Sequence, residues 1–141
     1  MAAPADRPDR PDLHPDLSPA ERRRLFREGI DLFNRGAFFE AHETWEEIWR
    51  STAPEPRTLF QGLIQVAAAL HQIRDLHRRA GPRNTLAKAR GHLEGYEPAA
   101  RGLDLEALLT AVQKWQEWLE KPERESPAWP TLRVLDWEAV V

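Results

Sequence analysis

The sequence predicts an all-α fold: a single-domain bundle of about five helices, with a central apolar third helix and an extended C-terminal segment. Three observations carry this reading. Apolar residues recur at helical spacing in several stretches, each bounded by a capping or breaking residue. From Leu59 to Leu70 the chain is apolar nearly all round, the pattern of a helix surrounded by others. No run alternates apolar and polar residues as a half-buried strand would. At 141 residues the chain has the length of one domain. A domain of that size buries roughly 68–70% of the surface its unfolded chain exposes.

Residues 1–17 carry prolines at 4, 8, 11 and 15 among alternating charges. Too little apolar surface is available there to offset ordering, so a flexible arm is expected. The bundle is expected over 18–121. Ser18-Pro19-Ala20-Glu21 opens its first helix: Ser18 can cap, Pro19 suits the first helical position and Glu21 completes a capping box. Leu25, Phe26, Ile30, Leu32 and Phe33 follow at helical spacing. Gly36 is available for the left-handed residue that ends the helix. A second helix is expected from about Ala37 to Arg50, then a loop over Ser51–Pro56.

The third helix is expected from Arg57 to Arg79. Gln61, Gln65 and Gln72 share a face of it with Ala68. Gly62 costs about 1 kcal/mol in a helix interior, so a close helix contact is its expected reason. Gly81-Pro82 is read as a break. Leu86, Ala89, Leu93 and Tyr96 mark a fourth helix, and 95–102 a bend. Asp104 can cap a fifth helix that carries Leu105, Leu108, Leu109, Val112, Trp115 and Leu119 and ends at Pro122. Residues 122–141 are too apolar for a free tail and are expected to pack along the bundle.

Composition narrows the function classes. There is no cysteine, which excludes disulfides, thiolate metal sites and thiol catalysis. The N-terminus has no apolar run that reads as a signal peptide, and no stretch is long and apolar enough to span a bilayer. A cytoplasmic protein with no membrane association is expected. The net charge of −3 suggests no general attraction to nucleic acid. The charge is uneven, however. Arg74, Arg78, Arg79, Arg83, Lys88 and Arg90 form a basic segment with Asp75 as its only acid. Cations at a helix C-terminus complement its dipole, so a solvated face is the favoured reading of that segment, and a nucleic-acid partner is not expected.

The second helix holds the chemistry. On a helical wheel Phe38, Phe39, Ala41, Trp45, Ile48 and Trp49 fill one arc, and His42 and Glu46 fall inside it. Glu40, Glu43, Thr44, Glu47 and Arg50 fill the opposite face. His42 and Glu46 lie one turn apart, so both can reach one point. Two readings stand. Glu46 accepts a hydrogen bond from His42 or from the amide of Gln61 or Gln65, which satisfies a buried polar group. Or the pair ligates a divalent metal, with Trp45, Trp49, Gln61 and Gln65 forming the surrounding pocket. A metal needs further ligands, for which His71, His77, His92 and Glu43 are candidates. Acid–base catalysis by Glu46 with His42 is a weaker third reading. No Gly-rich phosphate loop or serine elbow is present, and whether the protein is an enzyme stays open.

The pattern Asn34-x-Gly36-x-Phe38-Phe39-Glu40-Ala41-His42-Glu43-x-x-Glu46-x-x-Trp49, followed by Phe60-Gln61-Gly62-Leu63-Ile64-Gln65-Val66-Ala67-Ala68-Ala69, resembles domain-of-unknown-function family 309 over roughly residues 20–120. These are small all-helical bacterial and archaeal proteins. The resemblance implies a His-x3-Glu-x2-aromatic hallmark, here His42, Glu46 and Trp49, for which a metal-binding role has been suggested and no activity is established. The turn after the third helix departs from the family pattern: Arg79-Ala80-Gly81-Pro82-Arg83-Asn84 stands where a Gly-Asn turn is expected. The alternative function is a non-enzymatic interaction module, because Gly29 to Ala41 also looks like one tetratricopeptide hairpin. No second copy follows at the repeat period, though such repeats stack in threes or more. A second copy of the chain or another protein is the partner that this alternative requires.

Overall fold

The computed structural model describes residues 17–52, 56–122 and 124–140. Nearly all of the arm expected over 1–17 therefore lies outside the described residues. The rest is an all-α bundle of five helices: α1 (Pro19–Asn34), α2 (Phe38–Thr52), α3 (Arg57–Arg74), α4 (Ala80–Leu93) and α5 (Leu105–Glu120). Neighbours in sequence pack side by side, and α3 lies between α2 and α4. Its burial explains its composition: Leu59, Leu63, Val66, Ala67, Ala69 and Leu70 are all closed to solvent.

Local rules set several boundaries. The amide of Glu21 donates to Ser18 Oγ, and the amide of Ser18 to Glu21 Oε1, closing the capping box. Gly36 takes φ 84°, and the amides of Gly36 and Ala37 return to the carbonyls of Phe33 and Leu32. This turn lets α2 start two residues later and double back on α1. Asp104 accepts from the Ala107 amide at 3.0 Å and starts α5. At Gly62 a Cβ would meet Leu93 Cγ at 2.6 Å and the Ala89 carbonyl at 3.3 Å, so α3 and α4 approach closely there.

Three boundaries differ from the sequence reading. Helix α2 continues through Ser51, whose buried hydroxyl donates to the Ile48 carbonyl. Helix α3 ends at Arg74, five residues early, where a turn places His77 at φ 55°. Gly81-Pro82 does not break the chain but lies in the first turn of α4. The first amides of a helix have no partner within it, so the proline sacrifices no hydrogen bond there. The bend over 95–102 leads into a small antiparallel hairpin of two-residue strands, Ala99–Ala100 (β1) with Leu103–Asp104 (β2), which the absence of alternation did not reveal.

The C-terminal residues run back over the bundle. The Asp104 amide donates to the Arg133 carbonyl, and the Leu135 amide to that of Gly102. Asn34 holds the backbone of Leu132 from both sides: its Nδ2 donates to the carbonyl at 3.0 Å and its Oδ1 accepts from the amide at 2.6 Å. Arg27 donates to the Trp137 carbonyl and lies over its ring. Trp129 stacks on Trp115, with ring centroids 4.4 Å apart and planes at 21°. Among the described residues no helix is long and apolar enough to cross a membrane.

Candidate functional site

The inward stripe of α2 is Phe38, Ala41, Trp45 and Ile48, all buried. His42 and Glu46 each follow a stripe residue by one position, which rotates them about 100° around the helix. They therefore sit at the edge of the apolar arc, with side chains 23% and 27% exposed. His42 Nε2 is 3.6 Å from Glu46 Oε2, and its Nδ1 is 3.5 Å from Glu43 Oε2. Both separations exceed the 2.7–3.2 Å of an ordinary hydrogen bond. The imidazole stands between two carboxylates of its own helix, one facing each ring nitrogen.

This block of helices carries the family match. Residues 26–83 match the family model of DUF309, a domain of unknown function. The DUF309 match begins at Phe26 in α1 and ends in the first turn of α4. It contains Asn34, His42, Glu46 and all of α3, while α5 and the C-terminal segment lie outside it. No curated protein matches the chain.

Within the DUF309 block, the residues grouped by sequence reasoning part company. Gln65 faces α4, where its Oε1 accepts from His92 Nδ1 at 2.8 Å, so its hydrogen bond goes to His92 and not to the His42–Glu46 pair. Gln61 is partly buried. Trp45 is a core residue: it stacks on Phe33 at 5.9 Å and its Nε1 donates to the Phe26 carbonyl at 3.2 Å. Trp49 is partly buried, with the Arg57 guanidinium 5.1 Å from its ring centre. The void between Trp45, Trp49, Phe26 and Phe60 is about 10 Å³, enough for one water at most. Neither His42 nor Glu46 lines it. Of the residues expected around the pair, Trp45 is thus bonded to α1 and Gln65 to α4, while Trp49 and Gln61 are partly buried.

The candidate third ligands are also dispersed. His71 Nδ1 lies 2.8 Å from Asp75 Oδ2, and the Arg74 guanidinium bonds both Asp75 oxygens. Arg74 first, and His71 after it, hold the Asp75 carboxyl below its usual range. His92 is bonded to Gln65, and His77 lines a different groove. Among the described residues no three His, Asp or Glu side chains gather into a group that could hold a metal ion. The exposed ring of Phe39 lies between the two histidine pairs, 6.2 Å from His42 and 4.9 Å from His71. Sequence reasoning passed over this second pair. His71-x3-Asp75 has the same one-turn spacing as His42-x3-Glu46, and that spacing was the available signal.

Proposed function

We propose that the DUF309 domain binds a divalent cation at His42 Nε2 and Glu46. The observation that supports this reading is the 3.6 Å between the two donor atoms. It is long for a hydrogen bond. With metal–ligand distances of about 2.0–2.2 Å and a tetrahedral angle, two ligands of one ion stand about 3.4 Å apart. Glu43 fits beside it: a carboxylate facing Nδ1 favours the tautomer that leaves the Nε2 lone pair free and orients the ring. An imidazole with carboxylate suits zinc or a neighbouring transition metal better than calcium or magnesium.

With two side chains as ligands, water fills the remaining positions. Such a site is exchangeable and far weaker than a structural zinc site, which is worth about 10–16 kcal/mol. Its open positions can take an oxygen-bearing ligand. The fold does not depend on it.

Calorimetry and cobalt absorption on the untagged protein test this. Zinc or cobalt should bind one ion per chain. His42→Ala and Glu46→Gln should abolish binding with an unchanged circular dichroism spectrum, and Glu43→Gln should weaken it about 10- to 100-fold. Glu47→Ala should bind as the parent does. In metal-free protein Glu46→Ala should cost less than about 1 kcal/mol, since its pair with His42 is partly exposed. Undiminished binding by His42→Ala, or none by the parent, sinks the proposal.

A further inference from the structure

Helices α2, α3 and α4 lie side by side, and one face of that layer is open. On α3 the residues Gln61, Gln65, Ala68 and Gln72 recur at three- and four-residue spacing and are partly exposed. The other residues from Leu59 to Leu70 are buried. Contacts across the helices join this stripe to its neighbours. The exposed ring of Phe39 on α2 lies 4.9 Å from that of His71. His92 of α4 bonds Gln65, and a Cβ on Gly81 would stand 3.5 Å from Gln72 Oε1. The opposite side of α3 is covered. Arg74, half a rotation from Gln65, lies over Trp129 of the C-terminal segment, and Phe60 meets Phe26 of α1.

The stripe itself is uncharged in a chain that is 30% charged. Charge stands on either side of it, with opposite sign. Helix α2 carries Glu40, Glu43, Glu46 and Glu47 against Arg50. From Arg78 to Leu93 there are five cations, Arg78, Arg79, Arg83, Lys88 and Arg90, and no acid. Glu40, Glu43, Glu47, Arg83 and Lys88 are exposed. Among the described residues no ion pair joins Glu40 or Glu47 to a cation, or Arg78, Arg83 or Lys88 to a carboxylate. Each edge of the layer therefore keeps a charge that its own chain does not neutralise.

That layout is self-complementary. We propose that this face is the interface of a two-fold symmetric dimer of the chain. An axis running along α3 between two copies sets α2 of each over α4 of the other, acid against base, and brings the uncharged stripes together at the centre. An axis across α3 would set α2 on α2 and acid on acid. Both α2 and α4 run opposite to α3, so Phe39 falls near the partner's Gly81 and the middle of α2 near the partner's Lys88. Glutamine amides donate and accept, so the stripe suits a copy of itself. An uncharged centre within a charged rim is the anatomy of an interface, and two-fold pairing is the commonest assembly. The face has the size as well. Helices of 14 to 18 residues, at about 1.5 Å per residue and about 8–10 Å apart, present about 600 Å². A standard interface takes about 800 Å² from each partner. His42 and Glu46 stand at the α2 border of this face, but the pairing does not depend on a metal.

Sedimentation of the full, metal-free chain from about 1 µM to about 1 mM tests this. The parent should pass from monomer to dimer, and the transition should move to about tenfold higher concentration in about 0.5 M salt. Two charge reversals follow: Glu43→Lys with Glu47→Lys on α2, and Arg83→Glu with Lys88→Glu on α4. Each doubly substituted chain alone sets like charges together and should associate at least about tenfold more weakly than the parent. Mixed one to one, the two set opposite charges at both edges and should form a mixed dimer. All four positions are exposed, so the circular dichroism spectra should match that of the parent. Phe39→Ser, which leaves the charges alone, should also weaken the dimer about tenfold. The proposal fails if the parent stays monomeric to about 1 mM at low salt, which leaves the face to a different partner. It fails if either reversed chain alone dimerises as the parent does, because the dimer then uses another surface. A mixture that stays monomeric overturns it too.

Discussion

Gly29→Ala adds one methyl group to a helix interior, and the structure says where it goes. Its carbon would lie 2.0 Å from Trp45 Nε1, 2.5 Å from Cδ1 and 2.7 Å from Cε2. The obstacle is a rigid indole that is 2% exposed, packed between the rings of Phe26 and Phe33. Three effects compete. Alanine in place of glycine favours the helix by about 1 kcal/mol. Overpacking costs about 1–3 kcal/mol. Displacing the indole breaks its bond to the Phe26 carbonyl, and a buried N–H without a partner costs about 1–3 kcal/mol. The net is a loss of about 3 kcal/mol, or about 10 °C in Tm for a chain of this length. Gly91→Ala is the internal control. Nothing lies within 4 Å of its added carbon, so the helix-propensity gain acts alone and the variant should be stabilised by about 0.5–1 kcal/mol. Urea unfolding at constant slope measures both. In a Trp45→Phe background the smaller ring should give way, and the Gly29→Ala penalty should shrink. Gly29→Ala as stable as the parent would refute the α1–α2 packing described above.

Two further outcomes follow from single contacts. Asn34→Ala removes both bonds to the Leu132 backbone and should cost about 2–3 kcal/mol, with faster protease cleavage in the C-terminal segment. Asn34→Asp keeps the acceptor and should lose less, so equal losses would argue against the clamp. Asp75→Asn addresses pH. Because the folded carboxyl titrates below its ordinary 3.8, its contribution is present above that value and is lost as pH falls through the lowered pKa. The parent should therefore exceed the variant in urea midpoint at pH 7, and the margin should narrow at pH below about 4. A margin that widens in acid would contradict the Arg74–Asp75–His71 arrangement.

The starts of α1 and α5 and the α1–α2 turn were legible in the sequence because each follows from residues within one turn of one another. Ser18 with Glu21, Asp104 with Ala107, and Gly36 need no distant partner. The end of α3 was not legible, because His77 occupies a left-handed position that glycine usually marks. The His42–Glu46 pair was legible for the same local reason, since one helix fixes the spacing. Its surroundings were not. Periodicity shows that Gln65 faces a neighbouring helix but not which one, and α4 supplies its partner. The stack of Trp129 on Trp115 is further out of reach, since it exists only where the C-terminal chain folds back over the bundle.

The helix glycines make the distinction concrete. Gly62 invites attention because it interrupts a helix that is apolar all round, and Leu93 does approach it. Gly29 follows Glu28 on an amphipathic helix and entered the sequence reading only as the start of the tetratricopeptide-like stretch, with no close approach expected there. Yet the indole at Gly29 comes closer than the leucine at Gly62, 2.0 Å against 2.6 Å to the absent methyl. A missing side chain can reveal that something approaches, but which group does so is decided by the partner helix. Trp45 belongs to the α2 stripe adjacent to His42 and Glu46. The bond from its Nε1 to the α1 backbone helps to fix the rotation of α2, which leaves His42 and Glu46 half-buried at the edge of the apolar arc. Gly29, remote in sequence from the candidate metal ligands, thereby helps to set their exposure.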